Sequence, residues 1–404
     1  MLYLWEGVLA KSFLENYTWR AHMIASVVLP VLILLCAFYK RGARALMRGY
    51  MHHSAWYGVF VIMSLVGVWG FASSMFQENK QILNILYTLC MMVMFYACWT
   101  AIPILLSDVK RIDTCCDVSF LPLYVVVMLS LILGVTIWKA DRLSGCFLSA
   151  AQAAWAASLC SIMSCHRALD SSGKKRVVFC IILVACLLCL ALTRTRAHIL
   201  GTGVALAYMV LHTKRWTYAA ICVPSFLLLI YLHSPKSVES VQSFLRLSDT
   251  AGKVDTRSET WKESLPFIAE SPLFGHGWLS RWEPETSSQR PYYNPDDDPH
   301  NATLTVAKAI GVPGGVLMLM IFGLLLRICF RRKQQMRVGS DHGATLLGGV
   351  ILWTVIDGIF DNVLLSFGAT THRYTWMILA LLLVRSGSAN NQPRHRYTTA
   401  TIWK

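Results

Sequence analysis

The chain has 404 residues, 55% of them hydrophobic and only 15% charged, with a mean hydropathy of +0.49. Soluble globular domains carry about 25% charged residues, so the composition excludes a soluble enzyme, a disordered chain and a small disulfide-stapled module. The charges gather in short clusters between apolar runs, and about 20 such residues cross a bilayer; the formal charge of +15 therefore calls for a topological explanation before a nucleic-acid one.

Apolar segments fall near 21–39, 55–77, 81–107, 119–138, 145–165, 177–192, 199–212, 218–233, 303–329, 344–365 and 372–385. Backbone polar groups in lipid must be satisfied within the segment, so all are expected as helices. The expected fold is an all-α polytopic membrane protein with about 11–12 transmembrane helices. Residues 1–20 are too broken to span; they read as an interfacial amphipathic piece or as a short re-entrant helix that restores an even count. No internal repeat is visible. Most of the thirteen cysteines lie inside apolar runs, where the thiol acts as a small hydrophobe. Cys186 and Cys189 form a C-x-x-C in such a run, without the further ligands that a metal site needs.

The loops between these segments can be tested for charge. If Lys40, Arg41, Arg44 and Arg48 are cytoplasmic, alternate loops on that side hold Lys110/Arg111, Arg167/Lys174/Lys175/Arg176, Lys214/Arg215, Arg331/Arg332/Lys333/Arg337 and Arg385/Arg394/Arg396/Lys404. The opposite side carries Lys11, Arg20, Lys80, Lys139, Arg142, Arg194, Arg196 and Arg373 in its short segments. About twenty basic residues against about eight follow the positive-inside rule loop by loop. The positive charge is thus a topology signal, and no nucleic-acid partner is implied.

One connection is far longer than the rest. The organisation reads as membrane helices over 1–233, an external loop over 234–302, further membrane helices over 303–385 and a basic cytoplasmic tail over 386–404. A long loop in a compact protein is usually functional. This one is net acidic and suggests two helices. The first covers 236–247; the second opens at a capping box, Thr256-x-x-Glu259, carries Trp261, Leu265 and Ile268 at helical spacing, and stops at Ser271-Pro272, with Pro266 expected to kink or shorten it.

Several residues invite a chemical reading. Arg194 and Arg196, in ALTRTRAH (191–198), either snorkel to lipid phosphates or grip a phosphate-bearing lipid with guanidinium forks. Arg257 sits in a helical first turn, where backbone N–H groups favour an anion; alone it is an ordinary surface charge. His300 precedes a helix that it and Asn301 are placed to cap, and histidine is also the side chain best matched to proton transfer near neutrality. Asp357 and Asp361 share a helix face, and carboxylates at membrane depth are costly; Asp361-Asn362 also fits an interfacial cap. Lys308 snorkels or serves the site. Asp296–Asp298 form a solvated run or a metal site, and Trp278, Trp282, Tyr292 and Tyr293 suit either sugar stacking or the interfacial aromatic belt.

In this order, TRTRA, then RSETWKESLPFIAESPLFGHGW (257–278), then PHNATLTVAKAIGVPGG (299–315), the chain resembles the O-antigen ligase/O-antigen polymerase superfamily of bacterial inner-membrane glycosyltransferases, over about 190–320. The short TRTRA element, the single late external loop and the length resemble the ligase more than the polymerase. The resemblance implies a GT-C-like glycosyltransferase in the inner membrane, its loop periplasmic. It implies transfer of a polysaccharide from an undecaprenyl-pyrophosphate donor to lipid A–core, without cofactor or metal. Residue by residue it implies His300 as base and Arg196 and Arg257 as catalytic cations, with Arg194, Asn301 and Asp361 in substrate binding. A lipid or saccharide transporter is the competing class, but the paired broken helices common in transporters are not evident.

Overall fold

The computed structural model describes residues 30–37, 39, 54–77, 81–101, 109–133, 138–139, 142–147, 149–213, 256–278, 299–335, 342–360 and 374–383. Within them the regular secondary structure is helical apart from one two-residue ladder. In chain order the helices are α1 (Ser54–Met75), α2 (Gln81–Tyr96, continued by a π turn at Ala97–Ala101), α3 (Val109–Leu133), α4 (Ala150–Asp170), α5 (Gly173–Thr193), α6 (Arg196–Thr213), α7 (Thr256–Glu270), α8 (Ala302–Gln335), α9 (His342–Phe360) and α10 (Tyr374–Leu383). The ladder pairs Trp138–Lys139 with Arg142–Leu143. Five stretches are long and apolar enough to span a bilayer: Tyr57–Met75, Gln81–Thr100, Gly173–Thr193, Ala302–Phe330 and Gly343–Phe360. The chain is a multi-pass, all-α membrane protein. The segment expected at 218–233, the loop helix expected at 236–247 and residues 1–20 lie outside the described residues.

α4 is the pillar of the bundle. Its sequence is dominated by Ala, Ser and Cys, and nearly every residue from Ala153 to His166 is buried. Small residues let neighbouring helices approach closely in lipid, where there is no hydrophobic drive for helices to associate, and α5, α6, α9 and α3 all pack on it. Ser149 caps its start by accepting a hydrogen bond from Gln152 N–H at 3.3 Å. Buried polar groups find partners between helices: Ser164 Oγ donates to Tyr124 Oη at 3.0 Å, and Trp155 Nε1 donates to Thr375 Oγ1 on α10 at 3.1 Å. Cys160, Cys186 and Cys189 are buried free thiols, in keeping with their reading as small hydrophobes.

α8 is longer than a bilayer requires and is not continuous. Its 29-residue apolar stretch would measure about 43 Å, against a hydrocarbon core of about 30 Å. The regular dihedrals fail at Ile310 (φ −128°, ψ 18°) and Gly311 (φ 85°, ψ 173°). The cause is local. Pro313 has no N–H to give to Ala309 O, and Val312 N–H turns instead to Pro272 O at 2.7 Å. Residues 312–330, about 28 Å at helical rise, remain to cross the membrane.

The carbonyls freed at this break are taken by the segment Ser271–Trp278, which follows α7. His276 N–H donates to Lys308 O at 2.9 Å and Gly277 N–H to Ala309 O at 2.8 Å. Trp69 Nε1 on α1 reaches Ile310 O at 2.9 Å. From the other side, Gln77 Nε2 donates to Phe274 O and Ala309 O at 3.2 and 3.3 Å, Ser73 Oγ also donates to Phe274 O, and Trp278 Nε1 donates to Thr88 Oγ1 on α2 at 3.0 Å. Glycine is required where the two backbones touch: a Cβ on Gly275 (φ 62°) would stand 2.6 Å from Ala309 O, and one on Gly311 would strike Leu273 O. Irregular backbone is thus accommodated only where protein covers it. The Ser-Pro-x₂-Gly-x-Gly-Trp motif is the plug of a broken helix. α7 runs through Pro266 to Glu270, so the proline does not shorten it; the helix stops where Ser271-Pro272 was expected to stop it.

Candidate active site

Three of the helices begin at residues already singled out, and each beginning has its own local cause. α6 starts at Arg196, with Thr195 O accepting the Ile199 N–H at 3.1 Å. Arg194 closes α5 as its C-cap in the left-handed region, φ 53°. The TRTRA element is therefore a corner between two helices, with one arginine ending the first and the other opening the second. α7 starts at Thr256, which sets residue 257 in its first turn. α8 starts at Ala302 and is capped by Asn301, whose Oδ1 accepts from Leu304 N–H at 3.0 Å. His300, just before that cap, is half-buried and also left-handed, φ 46°.

Among the described residues Arg194 and His300 alone are non-glycine residues with positive φ. The left-handed region costs an L-residue about 1–2 kcal/mol. Such outliers gather where function over-determines the backbone, and here both fall on candidate site residues.

The three helix starts are tied to one place, the last turn of α9. His198, in the first turn of α6, meets Asp357 with Nδ1 2.8 Å from Oδ1, both side chains buried at 2% and 0% exposure. Asn301 Nδ2 donates to Ile359 O at 3.0 Å. Trp261, one turn past residue 257, donates from Nε1 to Pro299 O at 2.7 Å and stacks on Phe360, with centroids 6.4 Å apart and planes at 25°. Residues 357–360 thus receive α6, the turn before α8 and α7 together. The residues read from the sequence as Arg196, Arg257, His300 and Asn301 all lie on these converging segments.

The cluster sets positive helix starts against one negative helix end. A helix N-terminus carries roughly half a positive charge from its unsatisfied N–H groups, and three such ends are gathered here. Arg196 adds a cation at a helix start, where basic side chains are disfavoured. The partial negative charge at the end of α9, with the Asp357 carboxylate, supplies complementary charge from within the protein. The helix starts and the Arg196 cation favour negative charge at this end of the bundle.

Other readings resolve differently. Lys308 lies 4.5 Å over the Phe267 ring, so it packs on α7 and helps hold the two helices together. Trp278 is buried and stacked on Tyr87 at 5.6 Å, a structural role in place of sugar stacking. Asp361, Trp282, Tyr292, Tyr293 and Asp296–Asp298 lie outside the described residues. Among the described residues no three His, Cys, Asp or Glu side chains gather closely enough to hold one metal ion. Sequence reasoning missed His198 as a partner of Asp357, and Trp261 as the tether of the His300 turn. The one available signal was a histidine and an aspartate both set in apolar runs, where each needs a partner.

Comparison with known families agrees with the motifs. Residues 181–319 match the family model described as O-antigen ligase. The match contains Arg194, Arg196, residue 257, His300 and Asn301, and stops short of the α9 turn that joins them. No curated protein matches the chain.

Proposed function

From the match of residues 181–319 to the O-antigen ligase family model, we propose that the chain transfers an O-antigen polysaccharide from undecaprenyl pyrophosphate to a sugar hydroxyl of lipid A–core. The reaction takes place at the periplasmic face of the bacterial inner membrane. The family's activity is of the ligase or polymerase type; the ligase assignment is our reading, supported by the TRTRA element and the single late loop.

The chemistry follows from what each group offers. The acceptor oxygen bonds to the anomeric carbon as the bond from that carbon to the diphosphate oxygen breaks, and the electron pair leaves with the diphosphate. A single displacement inverts the anomeric centre. The diphosphate is a weakly basic leaving group, so stabilising its developing charge matters more than protonating it. Arg196 and Arg257 fill that role with paired charge-assisted hydrogen bonds, assisted by Arg194 and the N–H groups that open α6. His300 takes the acceptor hydroxyl proton, a role worth about 10²–10⁴-fold. Asn301 and Asp361 complete substrate binding, and no metal is required.

The observation that carries this reading is the joining of three helix starts, each with a basic or titratable residue in or beside its first turn, on the last turn of α9. The positive-inside pattern of the loops supports placing that end of the bundle at the external face. The test is purified full-length protein in detergent, supplied with lipid-linked polysaccharide and lipid A–core without any gradient. Covalent joining is expected; its absence, with transport in vesicles instead, would refute the enzyme. In cells, deletion should leave bare core and accumulated lipid-linked polymer, whereas core bearing one repeat unit would assign the chain as the polymerase.

A further inference from the structure

The buried pair His198–Asp357 belongs to neither group of residues assigned a chemical role above, and its placement suggests what it does. Both side chains are almost wholly inside the protein, at 2% and 0% exposure, so neither is positioned to touch a polymer or a lipid headgroup. The imidazole also lies against Trp353 on α9, with centroids 6.0 Å apart and planes at 22°. One turn further along α6, Gly201 lets the helix approach that same indole: a Cβ there would stand 3.0 Å from Trp353 Cδ1. α6 and α9 are thus in register through a close polar contact, a ring stack and a glycine contact within two turns. His198 is two residues beyond Arg196, and Asp357 is two residues before Ile359, whose carbonyl holds Asn301. The pair therefore lies on a chain of contacts that links the start of α6, by way of the last turn of α9, to the turn that carries His300.

We propose that His198 and Asp357 are positioning residues: the close approach of the imidazole Nδ1 to the carboxylate sets the first turn of α6 against the last turn of α9 and so fixes Arg196 relative to His300. The inference rests on the function proposed above, since it gives Arg196 its diphosphate. Removing one partner of a buried pair leaves the other without its complement, and α6 is then free to shift or turn at its start. A displacement of about 1 Å in such a site costs on the order of 10²-fold in rate.

The experiment uses full-length protein in detergent, undecaprenyl pyrophosphate without glycan as the binding probe, and ligation kinetics with lipid A–core. Asp357→Leu should bind the probe about tenfold more weakly and lose on the order of 10²-fold in kcat/KM for the donor, with KM for the acceptor unchanged. Asp357→Asn, which keeps a polar side chain of the same size against the imidazole, should stay within about threefold of wild type. His198→Gln, which keeps a donor of similar reach, should do the same and serves if Asp357→Leu does not fold. The exchanged pair, His198→Asp with Asp357→His, should recover part of the loss. A purely structural role would lower the active fraction and leave probe affinity and both KM values untouched. Wild-type probe affinity in folded Asp357→Leu, or equal loss in Asp357→Asn and Asp357→Leu, would overturn the pair's role while Arg196→Ala still loses the probe. If Arg196→Ala binds the probe as wild type does, the assignment of Arg196 to the diphosphate fails first and the inference falls with it.

Discussion

Replacing Trp261 by Phe isolates one bond in the cluster. The indole does two things: it stacks on Phe360 and it donates to Pro299 O at 2.7 Å. Phenylalanine retains an aromatic face and removes the donor. Pro299 is buried, so its carbonyl is left without the indole, a loss of about 1–3 kcal/mol. At about 1.4 kcal/mol per tenfold, the turn carrying His300 should open roughly 5- to 150-fold more often. Hydrogen exchange read by mass spectrometry is the direct assay. Peptides spanning 299–306 should exchange faster by that factor, whereas peptides from the buried pillar, 153–166, should keep the wild-type rate. Ligation should fall severalfold without vanishing, because His300 is still present. Trp261→Leu, which also loses the stack, should add about 0.5–1.5 kcal/mol to the effect. Unchanged exchange at 299–306 in Trp261→Phe would show that the bond does not hold the turn, and the account of how α7 is coupled to His300 would be wrong.

Three further outcomes follow from the same geometry. Gly311→Ala forces a Cβ into Leu273 O at positive φ, so it should destabilise the protein by at least about 1–2 kcal/mol, visible as a lower melting temperature in detergent. His300→Ala and His300→Gly should both abolish polymer attachment while the protein still inserts; because φ is 46° at this position, the glycine variant should be the more stable of the two by about 1 kcal/mol, and retained ligation in either would remove His300 as the base. Arg257→Lys keeps the charge but loses the guanidinium fork, and polymer attachment in cells lacking the native gene should be severely impaired; full complementation would remove residue 257 from diphosphate binding.

What was legible from the residues follows from the range of the forces involved. Helices announce themselves through hydropathy, and the boundaries expected at 177–192 and 303–329 fall within a few residues of Gly173–Thr193 and of the Ala302–Phe330 stretch. The stop at Ser271-Pro272 and the cap at Asn301 were readable because turn and cap chemistry is local. The break at Ile310–Gly311 left a signal, Gly-Val-Pro, whose meaning depended on a partner about forty residues earlier in the chain, since a proline in a membrane helix is tolerated only where something else satisfies the freed carbonyls. The His198–Asp357 contact was less legible still. Each residue is anomalous in its apolar run, yet nothing local says which anomaly answers which. The π turn at Ala97–Ala101 had no readable signal in ACWTA.

The meeting point at residues 357–360 has a consequence for biogenesis. Membrane helices enter the bilayer in the order of synthesis, and α1 to α8 are complete before α9 has been made. Until residue 357 has left the ribosome, His198 has no Asp357, Asn301 no Ile359 carbonyl and Trp261 no Phe360. A nascent chain can therefore be integrated and helical while this meeting point is still unassembled. The cluster closes with the late arrival of a single helical turn.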